Sequence, residues 1–256
     1  MYSTAHTATG TYNEHITIDK PLTLQAGSTS IIDGEGAGTA VTINASNAYI
    51  TGFTVQNATT GVLVSSGTSN ELHFNNIVNN TDYGVNGTLA DEEVNAINNW
   101  WGAASGPTRA DNLGGTGDAV GDNVNFDPWL GAEIEEAESE TVSGSGTVED
   151  TSTGGNVTID TTGNHTITTV KYADNPGGEP TFQATGNYWD VHLDNATNVA
   201  NITIEFCPAG PFDTIYYWDA TSNSWKPCSD QVYADGCITV TITDDTEPSL
   251  EDLTGL

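Results

Sequence analysis

Along the first half of the chain, apolar and polar residues alternate in short runs, and no stripe has helical spacing. "HITID" (His15–Asp19), "LTLQ" (Leu22–Gln25), "SIID" (Ser30–Asp33), "AVTIN" (Ala40–Asn44) and "GVLVS" (Gly61–Ser65) are separated by Gly-, Asn- and Asp-rich breaks. A period of two bounded by turn residues predicts strands with one buried face. The pattern also repeats. "ITGFTVQN" from Ile50, "LHFNNIVN" from Leu72 and "VNAINNWW" from Val94 start at equal intervals. The interval, about 22 residues, lies in the range of solenoid repeats. Columns follow: Ile50/Leu72/Val94, Phe53/Asn75/Ile97, Thr54/Asn76/Asn98 and Val55/Ile77/Asn99, with Ile31 one interval before Phe53. Units of this length cannot bury an apolar face alone and must stack. Three short strands and three turns fit in one unit, which predicts a parallel β-helix of about four coils between Thr11 and Trp101. Asn in the columns suits side-chain amides stacked about 4.8 Å apart, a structural ladder more than a binding site.

The second half reads differently. "AEIEEAESETVSGSG" (Ala132–Gly146) has the composition of an acidic linker. Beyond it come "NVTID", "HTITTVKYA", "YWDVHLD", "NITIEF", "TIYYWD" and "CITVTIT", strands at the spacing of an antiparallel sandwich. The division expected is therefore 1–131 solenoid with a closing segment, 132–146 linker and 147–256 sandwich-like domain, all-β throughout. Aromatic residues gather in the last part: Tyr188, Trp189, Tyr216, Tyr217, Trp218 and Trp225. They read either as core and cross-strand pairs or as a platform for stacking sugars. Trp218 and Trp225 flank "DATSNS", a hairpin turn that would bring them together.

Charge narrows the partners. Of 256 residues, 35 are acidic and four basic, a net charge of −31. The cations Lys20, Arg109, Lys171 and Lys226 are scattered, so neither a nucleic-acid backbone nor an anionic membrane surface is a suitable partner. No run of 18 apolar residues predicts membrane insertion. Charged residues are still only 15% of the chain. The polar surface is mostly Thr, Ser, Asn and Gly, a composition of the cell exterior. "MYSTAHTATG" lacks the basic and apolar regions of a signal peptide. That fits a chain whose leader has been removed, or an excised piece. Eight N-x-S/T sequons, at Asn44, Asn57, Asn79, Asn86, Asn156, Asn164, Asn195 and Asn201, permit glycosylation of an exported protein.

"GTYNEHITIDKPLTLQ…TSIIDGEG…VTINASNAYITGFTVQN" resembles the right-handed parallel β-helix repeat family, also called pectin-lyase-like. "NNWWGAASGPT…GGTGDAVGDNVNFDPWL" (Asn98–Leu130) is similar to the segment that closes the helix in microbial surface members. The second half resembles modules beside such helices in archaeal surface-layer and sheath proteins, those of the tubular sheath of filamentous methanogens above all. The resemblance implies a right-handed solenoid and an extracellular structural role. It also raises the family's lyases and hydrolases. A lyase needs a basic residue beside calcium-binding carboxylates, and Arg109, the only arginine, lies in the closing segment. A hydrolase needs converging carboxylates. Glu71, Asp82, Asp91, Glu92 and Glu93 occupy no repeated strand position, and His73 stands alone. The expectation is a protein without enzymatic activity.

Two further sets of residues carry possible chemistry. Asp111, Asp118, Asp122 and Asp127 lie in a Gly-rich loop whose oxygens could bind calcium, with solvated turn residues as the plainer reading. Cys228 and Cys237 span a turn and are expected to pair within the domain, leaving Cys207 to cross-link subunits. Cys207–Cys228 pairing stays open. Many family members cap the first coil with a helix, and here little precedes the first strand. The first coil is therefore expected to pair with a neighbouring subunit, so that the β-helix continues across subunits into a polymer, unless residues 1–9 fold over it or a cap has been cut away. The function expected is a self-assembling subunit of an extracellular cell-envelope polymer, whose partners are itself and other envelope components. The alternatives are an exported carbohydrate-binding or adhesive module and a β-helix lyase.

Overall fold

The structure is a computed structural model of the chain and describes residues 3–150 and 155–254. The chain is all-β and divides into two units, Met1–Glu136 with Tyr172–Pro176, and Ala137–Lys171 with Gly177–Leu256.

The first unit is a parallel β-solenoid of about four turns. Its strands are β1 (Ser3–His6), β2 (Gly10–Asn13), β3 (Ile16–Ile18), β4 (Leu22–Asp33), β5 (Thr39–Ile43), β6 (Ala48–Gln56), β7 (Thr60–Val64), β8 (Glu71–His73), β9 (Asn76–Val78), β10 (Tyr83–Asn86), β11 (Val94–Asn95), β12 (Pro107–Thr108), β13 (Gly117–Ala119) and β14 (Val124–Asn125). One face is an eight-stranded sheet in the order β1-β4-β6-β8-β11-β14, with β2 also on β4 and β9 also on β6. The other is β10-β7-β5-β3. The alternation seen in the sequence puts Val41, Ile43, Ile50, Phe53, Val55, Val62, Val64, Leu72 and Ile77 into one continuous core, each 1% exposed or less.

The repeat length is less regular than the sequence columns suggest. Ile50 pairs with Leu72, and Val55 with Ile77, at the expected interval. Ser30, rather than Ile31, pairs with Phe53. In the last coil Asn95 pairs with Glu71 and Asn76 with Trp100, so Val94 does not extend the Ile50/Leu72 column. The cause is extra residues taken up in turns: Tyr83 already lies beyond that interval from its partner Thr60. A slip of one residue would send every core side chain to solvent, so buried faces override exact spacing.

Six asparagines are buried, Asn70, Asn75, Asn76, Asn80, Asn98 and Asn99, and the amides of Asn70, Asn75, Asn80 and Asn99 bond the backbone at the corners. The N–H groups of Ala48, Phe53 and Ala58 donate to Oδ1 of Asn70, Asn75 and Asn80, each one coil later, at 3.0, 3.0 and 3.1 Å. Asn75 Nδ2 donates to the Ile50 carbonyl (2.9 Å) and to Asn99 Oδ1 (3.0 Å), while Asn99 Nδ2 donates to the Leu72 carbonyl (2.7 Å). These amides make the structural ladder and replace strand bonds that a turning chain cannot form.

The second unit is built of antiparallel sheets. Its strands are β15 (Ile134–Ser143), which begins before the division, β16 (Gly146–Asp150), β17 (Gly155–Thr161), β18 (Asn164–Tyr172), β19 (Tyr188–Leu193), β20 (Val199–Phe206), β21 (Tyr216–Asp219), β22 (Ser224–Pro227), β23 (Gln231–Ala234) and β24 (Cys237–Ile242). They form sheets β15-β18-β19, β16-β17-β20-β24-β23 and the hairpin β21-β22. Val157, Ile159, Ile167, Leu193, Ile202 and Ile238 centre the core. The acidic run Ala132–Gly146 is a strand over most of its length and not a linker. Ile134, Ala137 and Val142 are buried while Glu135 and Glu140 are exposed, so a half-buried pattern lies beneath the acidic composition.

Candidate functional site

The two ends of the solenoid differ. At the first coil, β1 and β2 pair only with β4, and β3 only with β5; their outer edges have no strand partner among the described residues. β1, β2 and β3 contain no Lys, Pro, Asp or Glu, the residues that guard exposed edges. Three of the four residues of β1 are exposed.

At the far end, the segment after Asn98 folds over the last coil. Trp101 is fully buried. Trp129 packs its ring on Gly106, where an added Cβ would come within 2.5 Å, and its Nε1 donates to the Ala104 carbonyl (3.1 Å). Arg109 Nη1 donates to the carbonyl of Val124 in β14, its guanidinium lies 5.3 Å from the Phe126 ring centroid, and its Nε sits 3.2 Å from Asp111 Oδ1. Those contacts hold Arg109 as a structural clasp.

The four carboxylates expected to share a calcium ion do not converge. Asp111 is taken by Arg109. Asp118 Oδ2 accepts from the backbone N–H and Nδ2 of Asn80 at 2.8 and 2.9 Å. Burial still pushes the Asp118 carboxyl above its ordinary range. Asp122 and Asp127 are exposed. Among the described residues no group of three or more His, Cys, Asp or Glu is placed to hold a metal ion. The loop spreads its acids because Gly117 and Asp118 are drawn inward by backbone bonds to Gly106 and Trp101.

On the solenoid face, His73 is buried, with Nδ1 3.0 Å from the Ile97 carbonyl and Nε2 3.3 Å from Glu71 Oε2. That contact holds Glu71 below the usual carboxylate range. Tyr49 lies beside them, its ring 5.6 Å from His73, and burial together with the Glu71 charge pushes its hydroxyl up to about 12. Asp82, Asp91, Glu92 and Glu93 are exposed. Asp91 Oδ2 accepts the Gly67 N–H (2.7 Å) in a turn.

In the second unit the cysteines pair otherwise than expected. Cys207 and Cys237 form the disulfide, with Cα atoms 4.6 Å apart, and Cys228 is a buried free thiol. The reason is the β20–β24 pairing, in which Phe206 faces Ile238, so Cys207, just past the end of β20, lies opposite Cys237, the first residue of β24. The turn at Asp235–Gly236 brings Ala234, not Cys228, opposite Cys237. Cys228 lies in the apolar core, its N–H donating to the Ile215 carbonyl (3.0 Å), and burial pushes its thiol up to about 12. Cys207 is therefore not available to bridge subunits.

Close to that disulfide, four of the six aromatic candidates, Tyr188, Trp189, Tyr216 and Trp225, line a cleft of about 610 Å³. Phe182, Phe206 and Phe212, which the sequence did not mark out, complete its aromatic walls. Their isolated positions gave no signal before strands β19 to β22 were assembled. Trp218 faces Trp225 across the hairpin, as the turn predicted, and packs on Gly177 and Gly178. Tyr217 packs against the core. The hairpin also carries an ion pair between Lys226 and Asp219.

Compared with protein-family models, curated proteins and solved structures, the chain matches none. What it does has to be argued from its own geometry.

Proposed function

We propose that this chain is a structural subunit of an extracellular, self-assembling cell-envelope polymer, of the surface-layer or sheath kind. The observation that carries the reading is the outer edge of β1–β3, with which no strand among the described residues pairs. Such an edge offers a row of N–H and C=O groups to another strand. A second copy of the chain supplies a matching edge, and two first coils meeting about a two-fold axis would pair strand to strand. The far end of the solenoid is closed by Trp101, Arg109 and Trp129. Pairing of first coils therefore makes pairs, and growth into a polymer draws on surfaces outside the solenoid ends. A disulfide supports an oxidising location. Of the eight sequon asparagines, Asn44, Asn57, Asn79, Asn164 and Asn195 are exposed and open to glycosylation.

The test is light scattering and electron microscopy of the purified chain, with and without calcium, beside Thr11→Lys and Thr17→Lys. Both residues are exposed on edge strands, so added lysines guard the edge and leave the core intact. Concentration-dependent assembly that either lysine weakens is the expected result. A chain that stays monomeric under every condition overturns the reading, and assembly indifferent to both lysines overturns the role of the edge.

A further inference from the structure

We infer that the aromatic cleft of the second unit is a binding site for a neutral oligosaccharide. The inference is independent of the polymer reading, since it rests on other residues and another unit.

The cleft is of small-molecule size, at about 610 Å³. Rings of Tyr188, Trp189, Tyr216 and Trp225 form its walls while remaining partly exposed. Phe182 and Tyr216 are stacked with centroids 3.8 Å apart, so each ring holds the other in place. Trp225 is held from behind by Trp218, with centroids 5.4 Å apart, and its Nε1 donates to the Gly178 carbonyl (2.6 Å). The rings are thus fixed before any ligand arrives, and binding costs little side-chain ordering. Phe212, 96% exposed, stands on the rim.

The class of ligand follows from what else lines the cleft. Gln183, Thr185, Asn187 and Thr214 supply neutral donors and acceptors, all exposed. An apolar ring face next to hydroxyl-matching groups suits a pyranose, which has an apolar C–H face and a polar rim. Among the lining residues the only charges are Lys171 and Asp213, one of each sign. A locally balanced wall selects neither cation nor anion. The net charge of −31 repels polyanions such as polyuronates or sulfated glycans. A neutral sugar chain is what remains.

The test is calorimetry and tryptophan fluorescence on the full chain with its disulfide intact, titrated with the tetramers of cellulose, chitin, starch and mannan. A galacturonate tetramer serves as the anionic comparison. Saturable binding of at least one neutral tetramer is expected, with Kd between about 10 μM and 1 mM. Tyr216→Ala should weaken it about tenfold or more. Phe212→Ala, which cannot disturb the core, should weaken it about two- to fivefold. Tyr83→Ala in the solenoid should leave it unchanged. If no neutral tetramer binds the folded chain, or galacturonate binds as well as they do, the inference is wrong. It is equally wrong if binding survives both cleft variants.

Discussion

The two units solve one problem in opposite ways. Both are sheets around an apolar core, yet all the buried asparagines among the described residues lie in the solenoid. Among the described residues of the second unit, the buried polar ones are Thr161, His165, Thr168 and Thr169. A coil turns its chain back on itself at every corner, directly above another corner. Backbone groups there are shut off from water and from ladder partners, and an amide that both donates and accepts is the side chain able to serve them. Antiparallel strands turn in hairpins such as Asp235–Gly236, whose Asp235 is exposed and whose polar groups meet solvent. That unit is instead tied by a disulfide and by rings packed on rings. Identical-looking β sequence can therefore need buried polar wiring or none, depending on whether its turns are stacked.

The strongest way to break this comparison is at Asn75. Asn75→Ala orphans the Phe53 N–H and the Ile50 carbonyl inside the core. The expected loss is about 2–6 kcal/mol, at roughly 1–3 kcal/mol for each of the two stranded groups. Denaturant unfolding reads it, with hydrogen exchange locating the loss at Phe53. A loss under about 1 kcal/mol, on the order of a surface change, would mean that the ladder is ornamental.

Next in size is the disulfide. Cys207→Ser with Cys237→Ser opens a link across 30 residues and should cost about 3 kcal/mol. The loss should be seen as faster amide exchange in β20 and β24. Cys228→Ala should leave that linkage intact, and thiol titration of the native chain should find no reactive group, since Cys228 is buried with its thiol raised to about 12. Ready labelling of Cys228 would contradict the pairing described.

The smallest effect concerns acids that the solenoid has pulled inward, and it carries a sign. Asp118 has its carboxyl raised by burial, so its ionisation opposes folding. Stability associated with the protonated group is present below the ordinary aspartate value and is lost as pH rises through the raised one. Asp118→Asn, whose carbonyl can still accept from Asn80, should then be the more stable protein at neutral pH. The advantage should fade towards about pH 3. Glu71 is shifted down by its contact with His73, so its contribution has the opposite sense: present above the ordinary glutamate value and lost as pH falls through the lowered one. Unfolding curves of Asp118→Asn and Glu71→Gln across pH should move in opposite directions; parallel movement would refute the assignment.

Much of the solenoid was legible because its information is local. Alternation in "AVTIN" and "GVLVS" marks β5 and β7 almost to the residue. The repeat interval correctly pairs Ile50 with Leu72. It failed at Val94 because a turn absorbed extra residues, which spacing cannot reveal until neighbouring strands are in place. The linker expected at Ala132–Gly146 was misread because acidic composition masked the buried positions Ile134, Ala137 and Val142.

The site was less legible than the fold. The aromatic cluster stood out in the chain, but Phe182, Phe206 and Phe212 join it only through folding. The sequence by itself determined the strand class, the stacked-coil architecture and the structural use of asparagine, since each follows from periodicities of two and about 22 residues. Only the tertiary structure decided which cysteines meet, that the four aspartates of the closing loop stay apart and that four aromatic residues face one cleft. Those outcomes depend on which distant strands become neighbours: β20 beside β24 places Cys207 against Cys237, although 30 residues separate them along the chain.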